Sequence, residues 1–260
     1  MNEKKRRGPS PAPVEEMEGQ LEGRNALQEA LKSGRTIDKV FIADGEIDRG
    51  LQRLAAEAKE AGAVIVPVDR RKLDAMSYTR AHQGVIALAA AHIYYTIDDI
   101  LEEADSRGQT PLIVICDELS DPHNLGAILR SAECAGAHGV IIPKRRSVGL
   151  TATVAKASAG AVEYMKVARV TNISAAIGEL KEKGVWVFGT AAEGSIPMYQ
   201  ADLTGPTAIV IGNEGTGMSQ LVRKNCDVMV NIPMRGKISS LNASAAASIL
   251  LYEALRQRLG

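Results

Sequence analysis

Along the chain, short runs of aliphatic residues alternate with stretches in which apolar positions recur every three or four residues. Residues 25–31 read as an amphipathic helix, residues 40–43 as an apolar run, and Leu51, Leu54, Ala55 and Ala58 as a helical stripe. Apolar runs at 64–68 and 85–91 follow. Continuous aliphatic strands separated by helices predict a sheet covered on both faces, so residues 19–92 are expected to form a small α/β domain.

A second series comprises apolar runs at 112–116, 140–142, 185–189, 208–212 and 228–232, with helical patterns between most of them. It predicts a largely parallel sheet with crossover helices over residues 111–260, closed by a long helix at 244–259. Between the two series, residues 93–110 carry Asp98, Asp99, Glu102, Glu103 and Asp105 and read as a linker. Residues 1–18 contain Lys4-Lys5-Arg6-Arg7 followed by a run of Pro, Gly and Ser, a composition expected to give a disordered basic tail.

Composition narrows the classes. The 260 residues exceed one typical domain, and 45% apolar with 24% charged residues is an ordinary globular balance. Aromatics are only 3%, too few for a platform that stacks unpaired bases. Lys and Arg number 31, as do Asp and Glu, so any contact with a polyanion must rest on local patches. Cys116, Cys134 and Cys226 are scattered, which indicates neither a disulfide framework nor a metal site and fits a reducing cytoplasm. With no apolar run near 18–20 residues and no apolar leader core, neither membrane insertion nor export is expected.

Three segments place polar residues and glycine directly after an apolar strand, where open α/β sheets bind ligands. The first, DPHNLGAILR from Asp121, offers Asn124 as a helix cap and Arg130 two turns later. The second, IGNEGTGM from Ile211, holds Gly212, Gly215 and Gly217 within six residues and matches neither GxGxxG nor a phosphate loop. Here Glu214 has an alternative role as cap of the helix that follows. The third, IPMRGKISSLNASAAASI from Ile232, leads into the terminal helix with Ser239 or Ser240 as its expected cap.

These three segments, in this order, resemble the motifs of the SpoU-type 2′-O-ribose RNA methyltransferases, and the match runs from about residue 112 to the end. GRNALQEAL near Gly23 and AHQGV near Ala81 resemble the ribosomal-protein-like RNA-binding domain of bacterial 23S ribosomal RNA guanosine-2′-O-methyltransferases in that family. The resemblance implies a trefoil-knotted, mostly parallel sheet, a homodimer, and S-adenosyl-L-methionine as cofactor. It implies catalytic roles for Asn124, Arg130, Glu214, Ser240 and Asn242, and cofactor contacts at Thr190, Gly212, Ile232, Met234 and Leu241. RNA contacts are implied for Arg24, Asn25, His82 and Gln83, while Lys144, Arg145 and Arg146 form the best phosphate patch after a strand.

In such enzymes the first-motif arginine is either the base for the hydroxyl proton or a phosphate anchor. A guanidinium has a pKa above about 12 and donates only, which favours the anchor. The implied substrate is a guanosine of 23S ribosomal RNA. A transfer RNA or adenosine-directed enzyme, and a non-catalytic RNA-binding assembly factor, are the competing readings. Against the last stands the full catalytic set in this sequence.

Overall fold

The computed structural model describes residues 19–45, 48–191, 195–213, 215–238 and 240–260. They form two compact units that divide after Ala89. The basic tail expected at 1–18 lies outside the described residues.

In the first unit the order is β1 (Gln20–Glu22), α1 (Arg24–Lys32), β2 (Ile37–Ala43), α2 (Arg49–Glu60), β3 (Val64–Val68), α3 (Arg70–Met76) and β4 (Val85–Ala89). The strands lie in the order β1-β4-β2-β3, with β4 antiparallel to β1 and β2, and β3 parallel to β2. Leu51, Leu54 and Ala58 are buried along one stripe of α2, which explains the helical period in the sequence. Asp48 starts that helix by accepting from the Leu51 N–H at 3.1 Å. Pro67 lies on β3, an edge strand, where a residue without an N–H is tolerated.

The second unit begins at Ala90 and takes in residues 93–110, the stretch expected to be a linker ahead of a domain at 111–260. Its first helix, α4 (Ile97–Ser106), occupies the stretch read as a linker. The acidic residues that suggested a linker surround a buried stripe of Ile97, Ile100 and Ala104. A capping box makes the start: Thr96 Oγ1 accepts from Asp99 N at 3.1 Å, and Asp99 Oδ2 accepts from Thr96 N at 2.7 Å.

Then follow β5 (Leu112–Cys116), α5 (Pro122–Cys134), β6 (Gly139–Pro143), α6 (Ala152–Ala157), β7 (Lys166–Val170), α7 (Ile173–Glu182), β8 (Trp186–Thr190), β9 (Ile196–Pro197), β10 (Thr207–Ile211), α8 (Gln220–Asn225), β11 (Val228–Asn231) and α9 (Ala243–Leu259). They build a parallel sheet in the order β7-β6-β5-β10-β8-β11-β9. Every residue of β5, β6 and β10 is buried, as continuous aliphatic runs require when both faces are covered. Leu112, Val114 and Cys116 pack with α5, α6 and α9, while Ile113 and Ile115 pack with α4 and α7. Period-two alternation along one strand thus feeds two cores.

From β5 the chain proceeds to β6 and β7, then returns to the other side of the sheet, where β10 inserts between β5 and β8. The strand order therefore reverses beside β5. Ligands bind outside the carboxyl ends of strands at such a point.

Candidate functional site

The carboxyl ends of β8, β10 and β11 and the start of α9 enclose a cavity of about 640 Å³. All five positions expected to hold cofactor line it: Thr190, Gly212, Ile232, Met234 and Leu241, together with Ser240 from the catalytic set. Thr190 closes β8 and donates from Oγ1 to the Val210 carbonyl at 3.0 Å, which ties the ends of β8 and β10.

Gly212 leads the glycine loop and lines the cavity, and the loop's own packing already requires a glycine there. A Cβ there would lie 2.5 Å from Gly217 C and 2.5 Å from Met218 N, so the loop's own backbone fills the space. The loop folds back through Asn213 N to Gly217 O at 3.1 Å and Gly217 N to Asn213 O at 2.8 Å, with Gly217 at a φ of 68°. Asn213, to which the sequence reading gave no role, braces the turn. Its Nδ2 donates to Glu118 O at 3.0 Å, and its Oδ1 accepts from Gly215 N at 2.8 Å. Glu214 lies outside the described residues, and Ser219, not Glu214, caps the following helix.

Two asparagines join the helices beside the cavity. The cap of α5 is Asp121, which accepts from His123 N at 2.9 Å, and not Asn124 as expected, because Pro122 already occupies the first helical position. Asn124 is instead a buried member of the first turn, and its Oδ1 accepts from Asn242 Nδ2 at 2.9 Å. Asn242 also replaces Ser239 or Ser240 as the cap of α9: its Oδ1 accepts from Ser244 N at 2.9 Å and Ala245 N at 3.3 Å. Ser239 itself lies outside the described residues. One amide thus starts α9 and holds α5, and the Ser131 and Ser248 hydroxyls add a second link between these helices at 2.7 Å.

Arg130 is exposed on α5 and does not line the cavity. Six residues past Asn124, it stands about 9 Å further along the axis and on a different face. It makes no hydrogen bond or ion pair with the described residues. At the same sheet edge, the loop after β6 is held to the loop after β5 by Val148 N to Leu119 O at 2.9 Å and Ser147 Oγ to Leu119 O at 2.8 Å. Of its basic residues, Arg146 pairs with Glu118 at 2.9 Å, Arg145 is exposed, and the Lys144 carbonyl accepts from Arg169 at 3.4 Å.

In the first unit, Arg24 forms a fork on Asp48 at 3.0 and 2.6 Å, and its Nε donates to the Gln83 carbonyl at 3.3 Å. Asn25 and Gln83 are exposed. His82 does not match its expected role as an RNA-facing ring. It is buried, its Nδ1 accepts from Gly84 N at 3.1 Å, and its Nε2 meets Asp74 Oδ1 at 3.0 Å. With both nitrogens used inside the fold, the ring pins the loop that displays Gln83 at a φ of 50°. Burial raises the Glu22 carboxyl, but hydrogen bonds from Thr79, Tyr78 and Ser77 outweigh it and hold the group below its ordinary value at the other end of this loop.

Among the described residues no group of three or more His, Cys, Asp or Glu side chains is placed to hold a metal ion, and no helix is long and apolar enough to cross a membrane.

Comparison with known proteins joins these observations. The profile of the SpoU rRNA Methylase family matches residues 111–252, and that described as RNA 2′-O ribose methyltransferase substrate binding matches residues 20–95. A Bacillus subtilis protein named as a TrmH family tRNA/rRNA methyltransferase, YacO, is 48% identical over 236 residues, covering 91% of this chain and 94% of its own. Among solved structures, the SpoU methyltransferase AviRb from Streptomyces viridochromogenes in complex with the cofactor AdoMet superposes with a TM-score of 0.58 at 25% identity, over 92% of this chain and 90% of that one. An RNA 2′-O ribose methyltransferase superposes with a TM-score of 0.53 at 29% identity, over 92% and 88%.

Proposed function

Given that this chain belongs to the SpoU family of S-adenosylmethionine-dependent RNA methyltransferases, we propose that it methylates a ribose 2′-hydroxyl of ribosomal RNA, at a guanosine of the 23S molecule. The observation that carries this reading is the convergence of Thr190, Gly212, Ile232, Met234, Leu241 and Ser240 on one cavity beside the strand-order reversal. Its volume of about 640 Å³ lies within the usual range for small-molecule sites, about 300–1,000 Å³. Ile211, Val230 and Leu250 give an apolar lining for a purine, while Asn231 and the loop backbone offer polar edges. The donor set therefore fits an adenosyl ligand.

When bound, the cofactor supplies a sulfonium methyl group to an attacking oxygen. The protein's part is alignment, which in favourable intramolecular models is worth about 7–11 kcal/mol. The Asn124–Asn242 bond fixes the starts of α5 and α9 against each other, and Ser240, two residues before the cap, presents a hydroxyl to the cavity. That hydroxyl both donates and accepts, so it suits a ribose 2′-hydroxyl as partner. Arg130, exposed and outside the cavity, acts as an anchor for an RNA phosphate. Lys144 and Arg145 extend the phosphate track along the same sheet edge, and Arg24, Asn25 and Gln83 mark the RNA-facing end of the first unit. The gene product works in the cytoplasm.

The trefoil knot and a homodimer belong to the same proposal. The return of β10 between β5 and β8 supports the knot. The homodimer is supported by α9, which leaves Tyr252 half exposed at 51% and Leu259 at 78% although its other side is already buried. Sedimentation equilibrium at micromolar concentration tests the dimer. The relatives named for both tRNA and rRNA keep a tRNA substrate as the second reading.

Labelled methyl transfer to 23S RNA and to tRNA tests the function. A 2′-O-methyl ribose blocks alkaline cleavage at its own phosphodiester, so the label must be recovered in an alkali-resistant dinucleotide from 23S RNA. Label in single nucleotides, or in tRNA alone, would refute the reading.

A further inference from the structure

The cavity's lining is almost wholly uncharged: Arg223 is the one charged side chain among the described residues that form it. Its position is built rather than incidental. Arg223 lies on α8, a short helix held by the buried Val222 on one side and by its capping residue on the other. That residue, Ser219, donates its N–H to Asp117 Oδ2 at 2.8 Å, and Asp117 is itself 4% exposed at the end of β5. The following Lys224, equally basic, does not reach the cavity. The helix thus delivers one guanidinium to a wall that is otherwise uncharged among the described residues.

The ligand read into this site carries two cations, the sulfonium and the α-ammonium, and one anion, the carboxylate of its amino-acid tail. A guanidinium repels the first two and accepts the third as a planar, two-point partner. We propose that Arg223 binds the carboxylate of the cofactor's amino-acid tail and so sets the direction in which the cofactor lies. This rests on the reading of the cavity as the cofactor site. The apolar lining of Ile211, Val230 and Leu250 is then left to the adenosyl end, and the sulfonium is kept away from the one cation that the described residues place in the wall.

The test compares two uncharged-sulfur probes by calorimetry on the full-length protein: S-adenosylhomocysteine and its decarboxylated counterpart, which lacks only the carboxylate. The native protein should prefer the carboxylate-bearing probe by about 10- to 100-fold, the usual range for a hydrogen-bonded charged group. Arg223→Gln should remove that preference by weakening the first probe and leaving the second unchanged, and Arg223→Lys should fall between. Equal affinity of the native protein for both probes, or an equal loss of both in Arg223→Gln, would overturn the proposal. So would a variant that keeps the preference and loses only RNA affinity, since Arg223 would then serve a phosphate. Ala246→Phe and Thr216→Trp, which crowd the same cavity, separate this from the underlying reading. If either variant melts as the native protein does and still binds both probes normally, the cavity is not the cofactor site. If they abolish binding while Arg223→Gln changes nothing, the site stands and the role of Arg223 falls.

Discussion

Replacing Gly212 by alanine adds a single methyl group at a place where the chain crosses itself. The added carbon would stand 2.5 Å from both Gly217 C and Met218 N and 2.9 Å from Gly217 O, all backbone atoms that cannot swing aside as a side-chain tip would. Relief requires opening the Asn213–Gly217 pair of hydrogen bonds at 3.1 and 2.8 Å. Overpacking of this kind costs about 1–3 kcal/mol, and for a unit of this size each kcal/mol lowers the melting temperature by about 2–4 °C. Gly215→Ala is the control on the same loop: its nearest neighbour is Asn213 Oδ1 at 3.5 Å, an ordinary contact. Thermal melts of the ligand-free protein should therefore show a fall of about 2–12 °C for Gly212→Ala and almost none for Gly215→Ala, and calorimetry should show weakened cofactor binding for Gly212→Ala. If Gly212→Ala melted like the native protein and lost only cofactor affinity, the glycine would serve ligand approach, and the loop-crossing argument would be refuted.

Other consequences follow from the same geometry. Asn242→Ala removes the cap of α9 and one partner of the buried Asn124, an expected loss of about 2–4 kcal/mol; Asn242→Asp keeps the cap but not the donated bond, so urea titration should place it between the two. Burial, then the charges of Arg107 and Arg258, push the His138 imidazole down to about 4, and the neutral ring accepts from Leu112 N at 3.0 Å. A base with a lowered folded pKa binds fewer protons folded than unfolded, so about 1–3 kcal/mol of stability, allowing for solvent screening, should be lost as pH falls from 6.5 towards 4; a His138→Gln variant whose pH–stability curve matches the native one would disprove this. Arg130→Lys keeps the charge and loses the planar fork, so single-turnover rates at saturating RNA should stay partial and follow the native pH profile, with weaker RNA binding. A rise towards alkaline pH specific to the lysine variant would instead identify this position as the base.

Central strands with two cores to serve were the most plainly legible elements in the sequence. β5, β6 and β10 are buried on both faces, and their unbroken aliphatic runs admit little else. The edge strand β7 went unseen because Lys166 and Arg169 break its pattern: an edge with one open flank tolerates charge where a central strand does not. The acidic α4 was misread for the related reason that three buried positions among many charges satisfy a helix packed on one side only. At the site, residue types singled out three segments, two of which line the cavity, while the division of labour within them depended on which backbone groups were left over. Asn124 yields the cap to Asp121 because Pro122 pre-sets the first turn, and its side chain instead accepts from Asn242, 118 residues away. Asn213 and His82 show the same dependence. Each satisfies backbone groups of its own loop, Gly215 N in one case and Gly84 N in the other, and only the folded turn reveals that the demand exists. Polar residues that brace a loop and polar residues that meet a substrate are thus alike in type and spacing. What separates them is whether the fold has already used their hydrogen bonds, and by that criterion Ser240 and Arg130 remain open to a substrate among the described residues while His82 does not.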